Sequence, residues 1–244
     1  MPEKQIVNLP VRELQIEPLT KEEIHKTARE RVDFISKEFT AGFNFLENYP
    51  KLVTIFGGEK FKETDPEYIK ARSLGGRIVN ELGYSVMTGG GPGIMEAANR
   101  GAFEAGGESL GLTIELPQRQ IQNLYLTRNL NFHYFFSRKV CLAFSAEAYV
   151  FFPGGFGTFD EFFELVTLIQ TGKIEKIPMI MVGSDFWNSL YEFMKKELLG
   201  RETIDPSDLD LFKITDDEDE IINVIRNAPV RKVEEFKHSQ SEPR

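Results

Sequence analysis

The sequence predicts a doubly wound α/β fold, in which a parallel β-sheet carries helices on both faces. From Lys51 onward, short apolar runs alternate with segments that have the apolar spacing of amphipathic helices. Such alternation is typical of parallel strands joined by crossover helices. Two glycine-rich segments each follow directly on an apolar run. They therefore belong at the carboxyl ends of strands, where ligands bind in this fold class.

Length, composition and charge limit the classes of function. The chain has 244 residues, of which 41% are hydrophobic and 27% are charged, as in ordinary globular proteins. The net charge of -9 argues against nucleic acid and anionic membranes as partners. The single cysteine, Cys141, excludes an intramolecular disulfide and a multi-cysteine metal site. No signal peptide or membrane span is evident, so a cytoplasmic protein is expected.

Residues 1–50 are predicted to form an extension that contains one long amphipathic helix. Thr20 and Glu23 have the spacing of a capping box, which would start this helix. The apolar residues that recur behind them at helical spacing are Ile24, Ala28, Val32, Ile35, Phe39 and Phe43. Two roles are equally open for this helix. It docks on its own domain, or it forms part of an oligomer interface.

Residues 51–228 are predicted to form the α/β domain, and residues 229–244 a disordered tail. The predicted strands lie in KLVTIFGG, YSVMT, ESLGLTIEL, AEAYVFF and KIPMIMVG. Gly83 is expected to cap the helix between the first two strands. The segment NLNFHYFFSRKVCLAFS is predicted to be one helix. The last helix is predicted in ITDDEDEIINVIRNA, with Thr215 and Glu218 as its capping box.

The first glycine-rich segment, TGGGPGIMEAANRG, starts at Thr88. Glycine amides at the start of a helix can approach an anion closely, and the helix dipole favours a bound phosphate. The glycines that would form this site are Gly89, Gly90, Gly91 and Gly93. The alternative is a tight turn without a ligand. The segment lacks the lysine of a Walker loop and does not cleanly match the dinucleotide motif G-x-G-x-x-G.

The second glycine-rich segment, PGGFGTFDE, combines a candidate phosphate site with carboxylates. Gly154, Gly155, Gly157 and Thr158 are predicted to hold a phosphate. Glu161 is predicted to face the rest of the ligand, whereas Asp160 points elsewhere on the helix. The alternative is that Thr158 and Glu161 form only a capping box, because they have that spacing.

These motifs, together with FFSRK between them, resemble the LONELY GUY family of nucleoside 5'-monophosphate phosphoribohydrolases, often labelled lysine decarboxylase-like. The resemblance extends from about Lys51 to about Lys196. It implies a Rossmann-like fold, a homodimer or higher homo-oligomer, and cleavage of the N-glycosidic bond of AMP-type or cytokinin riboside monophosphates. It also implies that Arg138 and Glu161 are catalytic. The candidate substrate-binding residues are Gly57, Gly58, Gly90, Gly91, Gly93, Met95, Glu96, Lys139, Gly154, Gly155, Gly157 and Thr158. Family members more often have serine where this chain has Gly58.

The favoured hypothesis is hydrolysis of a purine nucleoside 5'-monophosphate to free base and ribose 5-phosphate, without metal or organic cofactor. A carboxylate near the ribose C1' would stabilise the positive charge that develops as the base departs. Arg138 stays protonated and can only act as a cation. Glu96 is a second candidate for contact with the ribose hydroxyls, with helix capping as the alternative, and Lys139 either faces the ligand or pairs with an acid.

Two other functions remain as alternatives. A nucleotide-binding or carrier protein would use both glycine-rich segments without catalysis. Lysine decarboxylation would need pyridoxal phosphate on a Schiff-base lysine, and Lys139 beside Arg138 does not by itself make such a site.

Overall fold

The computed structural model describes residues 19–115, 122–144 and 146–228, so the predicted tail 229–244 lies outside the described residues. The chain divides into two compact units, Met1–Lys37 and Glu38–Arg244. The first helix crosses this division, and its predicted capping box is confirmed. The Thr20 N–H donates to Glu23 Oε2 at 2.8 Å, and the Glu23 N–H donates to Thr20 Oγ1 at 3.2 Å.

The described residues form one sheet of seven parallel strands, which confirms the predicted α/β class. The strands are β1 Leu52–Phe56, β2 Ser85–Thr88, β3 Ser109–Ile114, β4 Arg128–Phe132, β5 Ala146–Phe151, β6 Met179–Met181 and β7 Lys213–Ile214. Their order in the sheet is β4-β3-β2-β1-β5-β6-β7. Five of them lie in the predicted strand segments, while β4 and β7 are additional.

The prediction that NLNFHYFFSRKVCLAFS is one helix is wrong. Its first part is the edge strand β4, which pairs with β3 so that Phe132 lies opposite Ile114. The helix starts only at Phe135. Polar residues flank Leu130 in the manner of a strand with one buried face. The aromatic residues that follow obscured this short alternation.

The helices of the described residues cover both faces of the sheet. They are α1 Lys21–Leu46, α2 Pro66–Arg77, α3 Ile94–Glu104, α4 Phe135–Phe144, α5 Phe156–Gln170, α6 Ser184–Phe193 and α7 Glu218–Arg226. One core contains buried residues of α2, α3 and α7, and the other contains buried residues of α4, α5 and α6. Neighbouring strand residues such as Val53 and Leu52 belong to different cores, as expected for a sheet buried on both faces. None of these helices is long and apolar enough to cross a membrane.

The helix ends follow local signals in most places. After α2 the chain continues through a π-helical segment, Ile78–Leu82, and stops at Gly83, which adopts a left-handed conformation with φ 66° as predicted. The cap of α7 differs from the prediction. Asp217, rather than Thr215, accepts hydrogen bonds from the N–H groups of Asp219 and Glu220. The cap therefore lies two residues after the predicted one, and the helix begins at Glu218.

From Glu38 onward, α1 packs within the second unit. Glu38, Gly42 and Leu46 are its buried residues, and Leu46 belongs to the core that contains α4. Phe43 meets Phe144 of α4 edge to face, with 4.6 Å between the ring centroids. This part of the helix therefore docks on its own domain, which was one of the two predicted roles.

Candidate functional site

A cavity of about 850 Å³ lies between the segments that follow β1 and β5. These two strands are neighbours in the sheet, whereas the helices that follow them pack on opposite faces. The chain order therefore reverses between β1 and β5, and ligands of doubly wound folds bind at such a point. The Gly58 N–H donates to Pro153 O at 2.9 Å and ties the two segments together.

The structure brings most of the predicted site residues to this cavity. The predicted residues that line it are Gly57, Gly58, Gly89, Met95, Arg138, Gly154, Gly155, Gly157, Thr158 and Glu161. Five others are not among its lining residues: Gly90, Gly91, Gly93, Glu96 and Lys139. Asp160, which was predicted to point elsewhere, also lines the cavity.

Asn123, which was not predicted from the sequence, holds the first glycine-rich segment through two hydrogen bonds. Its N–H donates to Gly90 O, and its side-chain amide donates to Gly91 O, both at 3.0 Å. Gly93 has φ 70°, and a Cβ there would overlap the backbone of Gly58 and Glu59. Gly90 also has a positive φ and no room for a Cβ, so close packing explains the glycines at positions 90 and 93. No sequence motif marks Asn123, because its partners are distant along the chain.

The second glycine-rich segment leads directly into a helix. The helix α5 begins at Phe156 with Gly155 as its N-cap, and no side chain caps it. The capping box of Thr158 and Glu161, predicted as the alternative, is therefore wrong, since both residues lie inside the helix. The first backbone N–H groups of a helix have no acceptor within the helix, so they can bind an anion at the cavity.

Gly154 is expected to be intolerant of any side chain. A Cβ at this position would overlap Thr158 Oγ1 and lie 2.7 Å from Thr158 Cβ and 3.0 Å from Gly58 N. Gly154→Ala should lower the free energy of unfolding by about 1–3 kcal/mol, because the loop or Thr158 must move. Urea denaturation measures this change.

Gly155→Ala is the matched control for this stability measurement. Its Cβ would have no heavy atom within 4 Å, and its φ of -96° is open to alanine. We expect a change within about 0.5 kcal/mol. Equal stability of the two variants would contradict the proposed packing of Thr158 against Gly154.

Glu161 and Arg138 line the same cavity from α5 and α4. The guanidinium of Arg138 is fixed by two carbonyl groups: Nε donates to Leu112 O at 2.6 Å, and Nη2 donates to Gly89 O at 3.4 Å. Burial lowers the pKa of Arg138, and the charge of Glu161 opposes this shift. Burial also raises the pKa of Glu161 to about 7, although Arg138 and Lys139 favour its ionised form. A carboxyl group with such a pKa in a cavity is typical of functional sites.

Lys139 pairs with acids on α5. Its Nζ lies 2.9 Å from Asp160 Oδ2 and 2.9 Å from Glu164 Oε2, and its side chain is only 13% exposed. Burial lowers the pKa of Lys139, but the two carboxylates outweigh it, so that the net shift is upward. Of the two predicted roles, the structure shows the ion pair with acids.

Glu96 lies in the first turn of α3 and accepts a hydrogen bond from Tyr68 Oη at 2.9 Å. Burial raises the pKa of Tyr68 to about 12, so that this hydroxyl remains a donor at neutral pH. Capping by the Glu96 side chain, the other predicted role, is not seen, since Gly93 is the N-cap without a side-chain hydrogen bond. The contact of Glu96 with a ribose stays a prediction.

Aromatic side chains form a part of the cavity wall that sequence reasoning missed. Phe61, Phe135 and Phe186 line the cavity, as does Phe156, which is 97% exposed. These residues come from four separate segments. Only Phe135 and Phe156 belong to the recognised motifs, so local sequence offered little signal for the others.

Comparisons with known proteins agree with this fold. The family model described as "Possible lysine decarboxylase" matches residues 95–225. A pyrimidine/purine nucleotide 5'-monophosphate nucleosidase of Escherichia coli strain K12 is 27% identical over 165 residues, covering 59% of this chain and 34% of that protein. The chain thus matches about a third of that relative's length. Cytokinin riboside 5'-monophosphate phosphoribohydrolase LOG2 of Arabidopsis thaliana is 27% identical over 145 residues, covering 59% of this chain and 68% of that protein.

Solved structures share the fold at lower identity. The molybdenum cofactor carrier protein of Chlamydomonas reinhardtii superposes with a TM-score of 0.54 at 22% identity, covering 73% of this chain and 97% of that chain. The molybdenum cofactor binding protein of Rippkaea orientalis has a TM-score of 0.51 at 18% identity, covering 73% of this chain and 96% of that chain. The family match spans more than half of the chain and confirms the resemblance seen in the motifs: this protein belongs to the possible lysine decarboxylase family, to which the LONELY GUY phosphoribohydrolases are related.

Proposed function

We propose that this protein hydrolyses the N-glycosidic bond of a nucleoside 5'-monophosphate, preferably a purine nucleotide of the AMP or cytokinin riboside type. The observation that carries the proposal is the pair of Glu161 and Arg138 in one cavity with the start of α5. Relatives named as nucleotide nucleosidases and phosphoribohydrolases support the same reaction class.

The spacing along α5 suits this ligand. The free amides at Phe156 and Gly157 would bind the 5'-phosphate. Glu161 lies five residues after Phe156, which is about 7.5 Å along the helix axis. This separation is comparable with the distance from a 5'-phosphate to the ribose C1'. One helix would thus hold the phosphate and bring a carboxylate to the sugar carbon.

The reaction adds water across the bond between C1' and a base nitrogen. As this bond breaks, positive charge develops on the sugar, and the Glu161 carboxylate stabilises it. Glu161 also accepts a proton from the attacking water, whose oxygen bonds to C1'. The electron pair of the broken bond leaves with the base, which takes up one proton. Arg138 contributes a fixed cation near the developing negative charge of the leaving base or at the phosphate.

A nucleotide-binding or carrier protein is the alternative of another class. Molybdenum cofactor carriers share the fold, but at 18–22% identity this likeness concerns the fold alone. A binder of anionic nucleotides gains nothing from burying Glu161 beside the phosphate site, because a carboxylate repels the ligand. The buried carboxylate therefore favours catalysis.

The family description also raises lysine decarboxylation through pyridoxal phosphate. That chemistry needs an accessible lysine amine able to form a Schiff base. Lys139 Nζ is occupied by Asp160 and Glu164, whose charges raise its pKa. Within the described residues, the lysine that lines the cavity is Lys60, which is exposed and therefore lacks the desolvation that activates a Schiff-base amine. These residues do not fit the cofactor. Purified protein is expected to show no pyridoxal absorbance.

The direct test incubates the purified protein with AMP, GMP, CMP, UMP and a prenylated AMP, and measures free base and ribose 5-phosphate. We expect equimolar formation of both products, fastest with a purine nucleotide, and little release from nucleosides that lack the phosphate. Binding of nucleotides without release of base would reject hydrolysis in favour of the carrier. Faster release from pyrimidine nucleotides would reject the purine preference alone.

The positive charge of Lys139 is expected to lower the pH at which Glu161 becomes protonated and activity is lost. Because the pKa of Glu161 is raised to about 7, activity should fall as the pH drops through this value. In Lys139→Met, the carboxylates of Asp160 and Glu164 lose their partner, and ionisation of Glu161 becomes less favourable. The acidic limb of the kcat/KM–pH profile, which reports ionisation in the free enzyme, should move upward by on the order of 0.5–1 pH unit.

Lys139→Arg keeps the positive charge and is the matched control. Its acidic limb should stay within about 0.2 pH unit of the wild-type limb, since the same charges face Glu161. A parallel loss of activity at every pH in Lys139→Met, without a moved limb, would contradict an electrostatic role and favour contact with the substrate.

A further inference from the structure

We infer that Glu38, on the second half of α1, is a positioning residue that fixes the start of α4 and thereby the place of Arg138 in the cavity. The inference rests on the proposed function for its kinetic consequences. It assigns a role in the reaction to a helix outside the family motifs, since α1 precedes the first strand of the sheet.

The carboxylate of Glu38 is buried against the N-terminus of α4. Its side chain accepts a short hydrogen bond from the backbone N–H of His133 and a weaker one, at 3.4 Å, from that of Tyr134. It also accepts a hydrogen bond from the hydroxyl of Ser137 at 2.6 Å. Glu38 is only 9% exposed. Helix starts are usually capped by a neighbouring residue, whereas this acceptor comes from about 95 positions earlier in the chain.

This contact fixes the backbone next to a catalytic candidate. Ser137, held by Glu38, directly precedes Arg138. The guanidinium at the other end of the Arg138 side chain is held by Leu112 O and Gly89 O. The backbone next to Arg138 is therefore held by α1, and its guanidinium is held by carbonyl groups of β3 and of the segment that follows β2. Loss of the contact from α1 would let this backbone, and with it the cation, shift in the cavity.

The packing of α1 on α4 makes this anchor rigid. Gly42 lies so close to Cys141 that a Cβ would overlap Cys141 Sγ. Phe39, which follows Glu38 directly in the chain, packs on Phe136 of α4 with 6.4 Å between the ring centroids. A buried carboxylate is costly unless donors satisfy it. Here the donors belong to His133 and Tyr134, which directly precede α4, and to Ser137 in its first turn. The carboxylate therefore holds that segment specifically, whereas an apolar side chain would only fill space.

The test compares Glu38→Ala and Glu38→Gln in the full-length protein, using the nucleotide that the wild type hydrolyses fastest. Glu38→Ala should lower kcat at least about 10-fold, because a displacement of about 1 Å can cost even more. KM should stay within about threefold, because the phosphate site on α5 is untouched. Glu38→Gln keeps one acceptor oxygen but cannot accept from both backbone and hydroxyl donors, so its kcat should be intermediate.

Ile225→Ala is the matched control for lost stability. Ile225 is fully buried in α7, in the core on the other face of the sheet. Its variant should melt at a lower temperature with kcat within about twofold of the wild type, as expected for distant, independent sites. If Glu38→Ala retains as much kcat as Ile225→Ala, the positioning role is overturned.

Hydrogen exchange separates failure of this inference from failure of the proposed function. If the wild type releases no base from any nucleotide, the proposed hydrolysis fails, and exchange alone decides the role of Glu38. Glu38→Ala should speed exchange of the backbone amides of residues 133–144 while those of residues 156–170 keep wild-type protection. Unchanged exchange in residues 133–144, or equal acceleration in both segments, would overturn the role of Glu38.

Discussion

Glu161→Gln is expected to lower kcat by about 10²–10⁴-fold, the range for loss of a positioned acid–base group. Glutamine keeps the shape of the side chain in the cavity but carries no charge and cannot accept a proton from water. KM for the nucleotide should change little, because the amides at the start of α5, which we propose as the phosphate site, do not depend on this side chain. The measurement is steady-state release of ribose 5-phosphate at pH 8, where Glu161 in the wild type is ionised.

The same substitution at Glu192 provides the control. Glu192 is exposed on α6 and is not among the residues that line the cavity, and Glu192→Gln should keep kcat within about twofold. Full activity of Glu161→Gln would remove this residue from the mechanism, even if the protein proved to be a hydrolase.

Glu161→Gln should also stabilise the fold at alkaline pH. Because burial raises the pKa of Glu161 to about 7, the folded protein binds a proton more tightly than the unfolded chain. The ionised carboxylate therefore destabilises the fold fully above pH 7, and this effect disappears as the pH falls toward the ordinary glutamate pKa. The variant should gain on the order of 1–3 kcal/mol at pH 8 and nothing at pH 4. Denaturant unfolding at both pH values measures the difference.

Arg138→Met is expected to lower kcat by about 10²–10³-fold, as for loss of one fixed electrostatic contact to the transition state. Methionine fills part of the space but removes the cation. The pKa of Glu161 should rise further, because Arg138 favours its ionised form. Arg138→Lys should recover only part of the rate, since an ammonium group cannot reproduce the guanidinium fork that reaches both Leu112 O and Gly89 O.

Arg201→Met controls for the loss of an arginine. Arg201 is 73% exposed and pairs with Glu197, four residues earlier in the chain, so its substitution should leave kcat within about twofold. The kinetic assay with the preferred nucleotide compares the three variants. An Arg138→Met variant with unchanged kcat and increased KM would show that the cation contributes only to binding.

Several features of this protein could be predicted from short stretches of sequence. The alternation of apolar runs and helical spacing predicted the parallel sheet and both of its covered faces. Local caps at Thr20 and Gly83 were also predicted, because such caps involve residues only a few positions apart. The position of Glu161 in the cavity agrees with its place behind a glycine-rich loop, since the loop must lie at the carboxyl end of β5.

Contacts between distant segments were decided only by the tertiary structure. The strand β4 was mistaken for helix, because its alternation is short and its pairing with β3 is not visible in its own sequence. The partners of Lys139 on α5, and of Glu38 at the start of α4, likewise depend on how helices pack. Sequence alone thus determined the fold class and the segments that meet at the site. Packing decided which side chains face the cavity, because burial and charge pairing depend on neighbours far along the chain.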